Sequence, residues 1–137
     1  MAVGTGAISL SDVTTEIGLS STASLQDCVD NYLKVGMDGT YWTSDPNDPE
    51  SLAEFRGYNH TVSTTGVSLG YNVSSFSSAC SAGTATYYID TASFSTANAI
   101  FTDSGATTLA TTGWYSNGSI ARFWTSATQT LGSSTGC

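Results

Sequence analysis

The side chains able to do acid–base chemistry are few in this sequence. It has a single histidine, His60, and a nucleophilic site would need a base of that kind beside a serine or cysteine. A hydrolase working through two carboxylates needs them in different environments, and after residue 57 only Asp90 and Asp103 are available. A single histidine is more often structural or solvated than catalytic. We therefore predict no catalytic residues and no enzymatic activity.

Metal and cofactor sites are not predicted either. The acidic cluster Asp45, Asp48 and Glu50 is explained by neighbouring prolines and a helix start, and it lacks the ligand spacing of a calcium loop. Asp45, Asn47 and Asp48 remain an alternative as a casual cation site. A phosphate-binding loop requires a lysine after its glycines. The opening segment 4–6 has the glycines but no lysine follows them.

The three cysteines have no CxxC spacing, which argues against a zinc or thioredoxin-type centre. Cys28 falls in a helical pattern and is expected to be a small buried side chain. Cys80 and Cys137 lie in the later part of the chain and could pair in an oxidising environment. The sequence leaves that disulfide open.

Charge is distributed unevenly along the chain, whose 11 acidic and three basic residues give a net charge of −8. Nine acidic and two basic residues precede Gly57. We therefore predict two regions, a helical segment at 1–57 and a β-rich domain at 58–137, in an α+β fold whose small sheet is antiparallel.

An acidic chain lacks the basic surface that binds phosphate backbones, so nucleic acid is not an expected partner.

The first region repeats the pattern Ser-Leu-x-acid at Ser9, Ser24 and Ser51. Such a serine, with an acid three residues later, is typical of a capped helix N-terminus. The pattern predicts three short helices that end near Gly18, Gly36 and Gly57. Short helices need packing partners, either in a small core with Trp42 or on another protein. For the second case, the residues expected to bind a partner are Ile8, Leu10, Val13, Ile17, Leu19, Leu25, Leu52, Phe55 and Arg56.

The second region alternates in the manner of β-strands, although segment 66–83 has too many small residues for a clear prediction. Asn117-Gly118 between aromatic flanks predicts a hairpin at about 113–125 with a two-residue type I′ turn. The aromatic residues of this hairpin either fill a core by alternate members or form a face that binds carbohydrate. The residues concerned are Trp114, Tyr115, Phe123 and Trp124.

Two parts of the chain resemble structural proteins of bacteriophage particles. Residues 7–25 and 51–58, with ISLSDV and SLAEFRG, are similar to a segment of phage tail and head fibres. The strings SAC at 78–80, FTDS at 101–104, GWYSNG at 113–118 and the final Gly-Cys resemble repeats in phages and prophages of Bacteroidetes hosts. In those repeats a cysteine usually follows TDS, whereas Gly105 and Ala106 stand here, and this departure weakens the case for a disulfide pattern shared with those proteins.

The resemblance implies a head fibre, decoration or tail-associated protein that contacts other virion proteins and forms a homo-oligomer. The first 13 residues lack a basic and apolar leader, and no stretch is apolar enough to cross a membrane. We therefore expect a virion protein assembled in the host cytoplasm, without a membrane partner. A carbohydrate-binding or adhesin module for the host surface is the alternative.

Overall fold

The computed structural model describes residues 2–42 and 49–137. These residues fall into two compact units, one within the bounds Met1–Val62 and one within Ser63–Cys137. The described residues contain three short α-helices and seven β-strands, so the chain has an α+β fold with a curled antiparallel sheet. The first unit continues five residues beyond the boundary predicted at residue 57. The reason is that Tyr58 belongs to its core and His60 is bound to its first helix.

The helices of the first unit begin at the serines that the sequence indicates. Helix α1 is Leu10–Ile17 and α2 is Leu25–Asn31, and Leu52–Phe55 forms a 3₁₀-helix. At each start the acid side chain accepts the backbone N–H of the serine, at 2.7, 2.6 and 2.7 Å respectively. These bonds satisfy donors that a helix N-terminus otherwise leaves unpaired.

The helix ends agree less well with the prediction. Gly18 ends α1 in a left-handed conformation, as expected. The predicted end of α2 near Gly36 is wrong, because α2 stops at Asn31 and Lys34–Gly36 forms a separate 3₁₀-helix. The chain becomes extended at Tyr32, whose side chain turns into the core.

The first unit has its own hydrophobic core, which includes Trp42. Its aromatic rings pack edge to face, with centroids 6.0 Å apart for Tyr32 and Trp42 and 5.6 Å apart for Phe55 and Tyr58. Cys28 is buried among them, as predicted, and burial raises the pKa of its thiol. The buried members of this cluster are Val3, Val13, Cys28, Tyr32, Trp42, Phe55 and Tyr58.

The second unit is built on one sheet with the order β3-β2-β1-β4-β5-β6, and β7 also pairs with β5. All its pairings are antiparallel. The strands are β1 Thr65–Asn72, β2 Thr84–Ile89, β3 Ile100–Phe101, β4 Gly113–Ser116, β5 Ile120–Thr125, β6 Thr130–Leu131 and β7 Thr135–Gly136.

Helix α3, Phe76–Ser81, packs against β1 at Gly70. A Cβ at position 70 would lie 2.4 Å from the carbonyl oxygen of Ala79, so only glycine permits this approach. Helix α3 and all of β1 except Thr65 lie in segment 66–83, for which the sequence allowed no clear prediction although Val67 and Leu69 suggested a strand. At Gly70, therefore, the small residue is required by the close packing of the helix on the strand.

Strands β4 and β5 form the predicted hairpin, but the predicted type I′ turn is wrong. Asn117 N–H donates to the carbonyl of Ile120, so the two residues of the loop are Gly118 and Ser119. Only Gly118 has positive φ, at 86°, whereas a type I′ turn needs it at both central residues. The Asn117 side chain instead accepts the N–H groups of Ser119 and Ile120, each at 3.0 Å.

The C-terminal segment 135–137 is attached to this hairpin in several ways. Strand β7 pairs with the start of β5, and Cys137 N–H donates to the carbonyl of Ser119. Cys137 is joined by a disulfide to Cys80 of α3, the pair that the sequence left open. Its sulfur also lies 3.1 Å from the hydroxyl of Ser116.

Candidate functional site

The four aromatic residues proposed as a carbohydrate-binding face lie on opposite faces of the sheet. Trp114 and Phe123 are direct cross-strand partners and therefore point to the same face. Tyr115 and Trp124, one position along, point to the other face. Tyr115 is 1% exposed and Trp124 is 0% exposed, so their assignment to a binding face is wrong. The alternative, in which alternate members fill a core, is correct for these two residues.

The buried pair is held by its polar atoms as well as by packing. The Trp124 indole N–H donates to the carbonyl of Ala110 at 2.9 Å, and the Tyr115 hydroxyl donates to that of Thr111 at 2.7 Å. The Tyr71 hydroxyl donates to the next carbonyl, at Thr112. Burial, together with the nearby tyrosines, raises the pKa of Tyr115. These contacts fix segment 110–112 across this face.

On the opposite face, Trp114 and Phe123 continue into a row with Phe76, the first residue of α3. The ring centroids of Phe76 and Trp114 are 5.7 Å apart, and those of Trp114 and Phe123 are 5.3 Å apart. We call these three residues the aromatic row. Phe76 is 40% exposed and Val73, shortly before it in the chain, is 66% exposed, the two large hydrophobic side chains most open to solvent among the described residues.

The rings of the aromatic row do not form a flat platform. Trp114 is tilted by 59° from Phe76 and by 69° from Phe123. Sugar rings stack on aromatic faces, and this arrangement does not offer several coplanar faces side by side. An uneven apolar surface of this kind is better matched by interdigitating side chains of another protein.

Strands β4 and β5, which carry Trp114 and Phe123, contribute no charged side chain to the face of the aromatic row. Arg122 pairs with Tyr115 and therefore points to the other face. Its guanidinium donates to the carbonyls of Gly132 at 2.7 Å and Ala97 at 2.8 Å, and its further acceptors are Phe94, Ser95 and Leu131. Burial lowers its pKa. Arg122 thus acts as a structural cation that fixes neighbouring loops.

The two acidic residues of the second unit are bound to their own loops. Asp90 accepts the N–H groups of Asn98 at 2.8 Å and Ala99 at 3.0 Å. Asp103 accepts those of Thr107 at 3.1 Å and Thr108 at 2.7 Å, and the bond from Thr107 is the main reason that its pKa is lowered. An ionised carboxylate held in this way is a poor general acid.

In the first unit the acids are used in the same manner. The pKa of Asp12 is lowered mainly by its bond from the Ser9 N–H, and that of Asp27 by its bond from the Ser24 N–H. Glu54 accepts from the N–H groups of Glu50 and Ser51. These side chains form helix caps, which accounts for their spacing without catalysis.

His60 lies in the first unit against Tyr58. Tyr58 accepts the Leu33 N–H at 2.8 Å, and its hydroxyl is 2.6 Å from Nδ1 of His60. With Tyr58 donating, Nδ1 is the unprotonated nitrogen of a neutral ring. Burial is the main cause of the lowered pKa of His60, and burial also raises that of Tyr58. The hydroxyl beside His60 is thus buried and hard to ionise, as in a structural pair.

Gly66–Gly70 has the Gly-x-Ser-x-Gly spacing found at the nucleophile of many hydrolases. In such enzymes the serine occupies a sharp turn between a strand and a helix. Here Ser68 lies in the middle of β1, opposite Thr86 of β2. The spacing therefore arises from strand residues and not from a nucleophile turn.

The residues predicted to bind a partner mostly surround the core of the first unit. Val13 and Phe55 are fully buried in it, so their assignment as partner contacts is wrong. Arg56 is partly buried, and its guanidinium lies 5.9 Å from the centre of the Tyr41 ring. The others are partly buried or pack at the margin of this core, namely Ile8, Leu10, Ile17, Leu19, Leu25 and Leu52.

The structure describes no cluster of acidic, histidine or cysteine side chains suited to a metal ion within residues 2–42 and 49–137. The possible cation site at Asp45, Asn47 and Asp48 falls outside those ranges. Within the same ranges no helix has the length and apolar character needed to cross a membrane.

Comparison with known proteins gave no match among family models, curated proteins or solved structures. The functional interpretation of the aromatic row therefore depends on its geometry alone. Sequence reasoning missed Phe76 as its third member. The sequence did contain a signal for the helix that begins at Phe76, because Ser75 caps α3 by accepting the N–H of Ser78.

Proposed function

We propose that this chain is a non-enzymatic structural component of a phage particle, a head fibre, decoration or tail-associated protein that acts through protein assembly. The observation that carries the proposal is the aromatic row, which is partly exposed and to whose face β4 and β5 contribute no charged side chain. Contact surfaces between proteins favour such a composition, with aromatic residues enriched and charges depleted at their centre.

The phage part of the proposal depends on the resemblance of residues 7–25, 51–58 and the C-terminal strings. Several of these strings coincide with structural features of the chain. SLSD and SLAE contain helix caps, while SAC and the final Gly-Cys contain the two halves of the disulfide. The use of every described acid of the second unit in loop hydrogen bonds supports a structural role over a hydrolytic one.

Photo-crosslinking in purified phage particles tests the proposal. A photoreactive phenylalanine analogue replaces Phe76, and a matched variant carries it at Tyr41 in the first unit. We expect the chain in intact particles and an adduct with a virion protein from position 76 but not from position 41. Particles that lack the chain, or that give no adduct from position 76, would contradict the proposal.

Carbohydrate binding is the second candidate, because Trp114 is only partly buried and could stack on one sugar ring. Glycan-array binding that is lost in Trp114→Ala, but kept in Tyr41→Ala, would favour it. Because the rings are tilted, we expect no such binding.

A further inference from the structure

The tip of the β4–β5 hairpin contains Asn117 followed by Gly118, a pair with a specific chemical reactivity. The backbone nitrogen of Gly118 can attack Cγ of Asn117, forming an N–C bond and releasing the side-chain nitrogen as ammonia. Water then opens the resulting succinimide to aspartate or isoaspartate. Glycine at the second position favours the reaction because no Cβ hinders the attack, and the tip here is open: a Cβ at position 118 would meet nothing within 4 Å.

In the folded protein, both reacting groups are held by hydrogen bonds. Oδ1 of Asn117 accepts the N–H groups of Ser119 and Ile120, each at 3.0 Å. The N–H of Gly118, which must lose its proton to attack, donates to the hydroxyl of Ser116 at 3.0 Å. Cyclisation must disturb these contacts and turn the side chain away from its present orientation.

The C-terminal segment 135–137 stabilises the same tip. Cys137 N–H donates to the carbonyl of Ser119 at 3.0 Å, and its sulfur lies 3.1 Å from the Ser116 hydroxyl that receives the Gly118 N–H. The disulfide to Cys80 fixes this segment. Loss of the segment would therefore remove support from both sides of the Asn117-Gly118 bond.

We propose that Asn117 is a deamidation site whose reaction is slowed by the folded hairpin tip and by the C-terminal segment attached to it. Breaking two or three hydrogen bonds before reaction corresponds to a rate about ten- to a hundredfold lower than in the unfolded chain. In the isoaspartate product the backbone runs through the former side chain. This lengthens the tip, so the pairing of Asn117 with Ile120 is lost.

Asn72 provides a matched site within the same chain. Its Oδ1 likewise accepts two backbone N–H groups, from Ser74 at 3.0 Å and Ser75 at 2.9 Å. It is followed by Val73, whose branched side chain hinders attack by the backbone nitrogen. Asn72 should therefore keep its amide in folded and unfolded protein alike.

The test measures deamidation by peptide mass spectrometry after incubation of the full chain at mildly alkaline pH, native and in urea. We expect Asn117 to convert in urea, at least about tenfold more slowly in the native protein, and Asn72 to remain an amide in both. Equal or faster conversion of Asn117 in the native protein would overturn the proposal, as would an unchanged Asn117 in urea.

Two variants examine the C-terminal segment. Replacing both Cys80 and Cys137 with Ser should raise the native rate at Asn117, and Cys28→Ala in the other unit should not. Where the double variant fails to fold, Ser116→Ala with the disulfide intact should also raise the rate. A native rate equal to wild type in every folded variant would overturn the role given to the segment.

Discussion

Removing the Cys80–Cys137 disulfide should destabilise the second unit strongly. The bond joins residues 57 positions apart and so closes most of that unit into one covalent loop. Closing a loop of this length lowers the entropy of the unfolded chain by an amount equivalent to about 4 kcal/mol at 25 °C. We expect the double Cys→Ser variant to lose about 3–4 kcal/mol, a large part of the stability of a small domain.

Hydrogen exchange in a urea series is the appropriate assay, because it reports the free energy of opening separately for each part of the chain. Peptides from 113–125 should show the full loss. Peptides from α1 and α2 should change by no more than about 0.5 kcal/mol, since their unit contains neither cysteine.

Cys28→Ala is the control for loss of a thiol. It should weaken the first unit and leave peptides from 113–125 unchanged. A loss below about 1 kcal/mol at 113–125 would refute the entropic argument. Equal losses in both units would refute the assignment of the bond to one unit.

Three further outcomes are expected. Arg122→Met removes the donor shared by five carbonyls, so the free energy of unfolding in urea should fall by about 3 kcal/mol. Hydrogen exchange at 94–98 should become faster. A loss of stability below about 1 kcal/mol would refute this role. The pKa of His60 is lowered from about 6.5, so the folded state binds its proton less readily than the unfolded chain. Stability of the first unit should therefore be constant above pH 6.5 and fall as the pH drops below it. His60→Asn, which can still accept from Tyr58, should remove this dependence between pH values of about 5.5 and 8, and an unchanged pH profile would count against it. Gly70→Ala places a Cβ against the carbonyl of Ala79 and should cost about 1–3 kcal/mol by thermal unfolding, whereas Gly83→Ala, with open space around it, should cost little.

The helix starts could be predicted because their signal is local. A serine and an acid three residues later satisfy each other's backbone donors whatever the rest of the chain does. The helix ends depend on tertiary packing, and α2 stops where Tyr32 turns into the core of the first unit. Sequence spacing alone carries no information about that contact.

Strand β1 was obscured by the residues that its packing requires. Val67, Leu69 and Tyr71 face one side of the sheet, and Gly66, Ser68 and Gly70 face the other. Because α3 approaches Gly70 closely, that position must be glycine, and a glycine inside a strand weakens the sequence signal for it. The segment therefore resembles a loop in composition although it is the centre of the sheet.

The aromatic site was predicted only in part for a related reason. Composition identified Trp114 and Phe123, but their sorting from Tyr115 and Trp124 follows from strand register. Phe76 joins them through a helix that is distant in sequence. The type of the β4–β5 turn also could not be predicted from the sequence. Asn117 accepts a hydrogen bond through its side chain and does not adopt the positive φ that the predicted turn requires.

Both borders of the sheet end in very short strands. Strand β3 has two residues, and the last strand is divided into β6 and β7 by a one-residue shift in its pairing with β5. Long unpaired borders are the templates on which sheets of separate molecules grow into fibrils. On the β3 side only residues 84–87 of β2 have no strand partner, and on the other side β6 and β7 have two residues each. Crowding of many copies at a small spacing would therefore bring together only short unpaired segments.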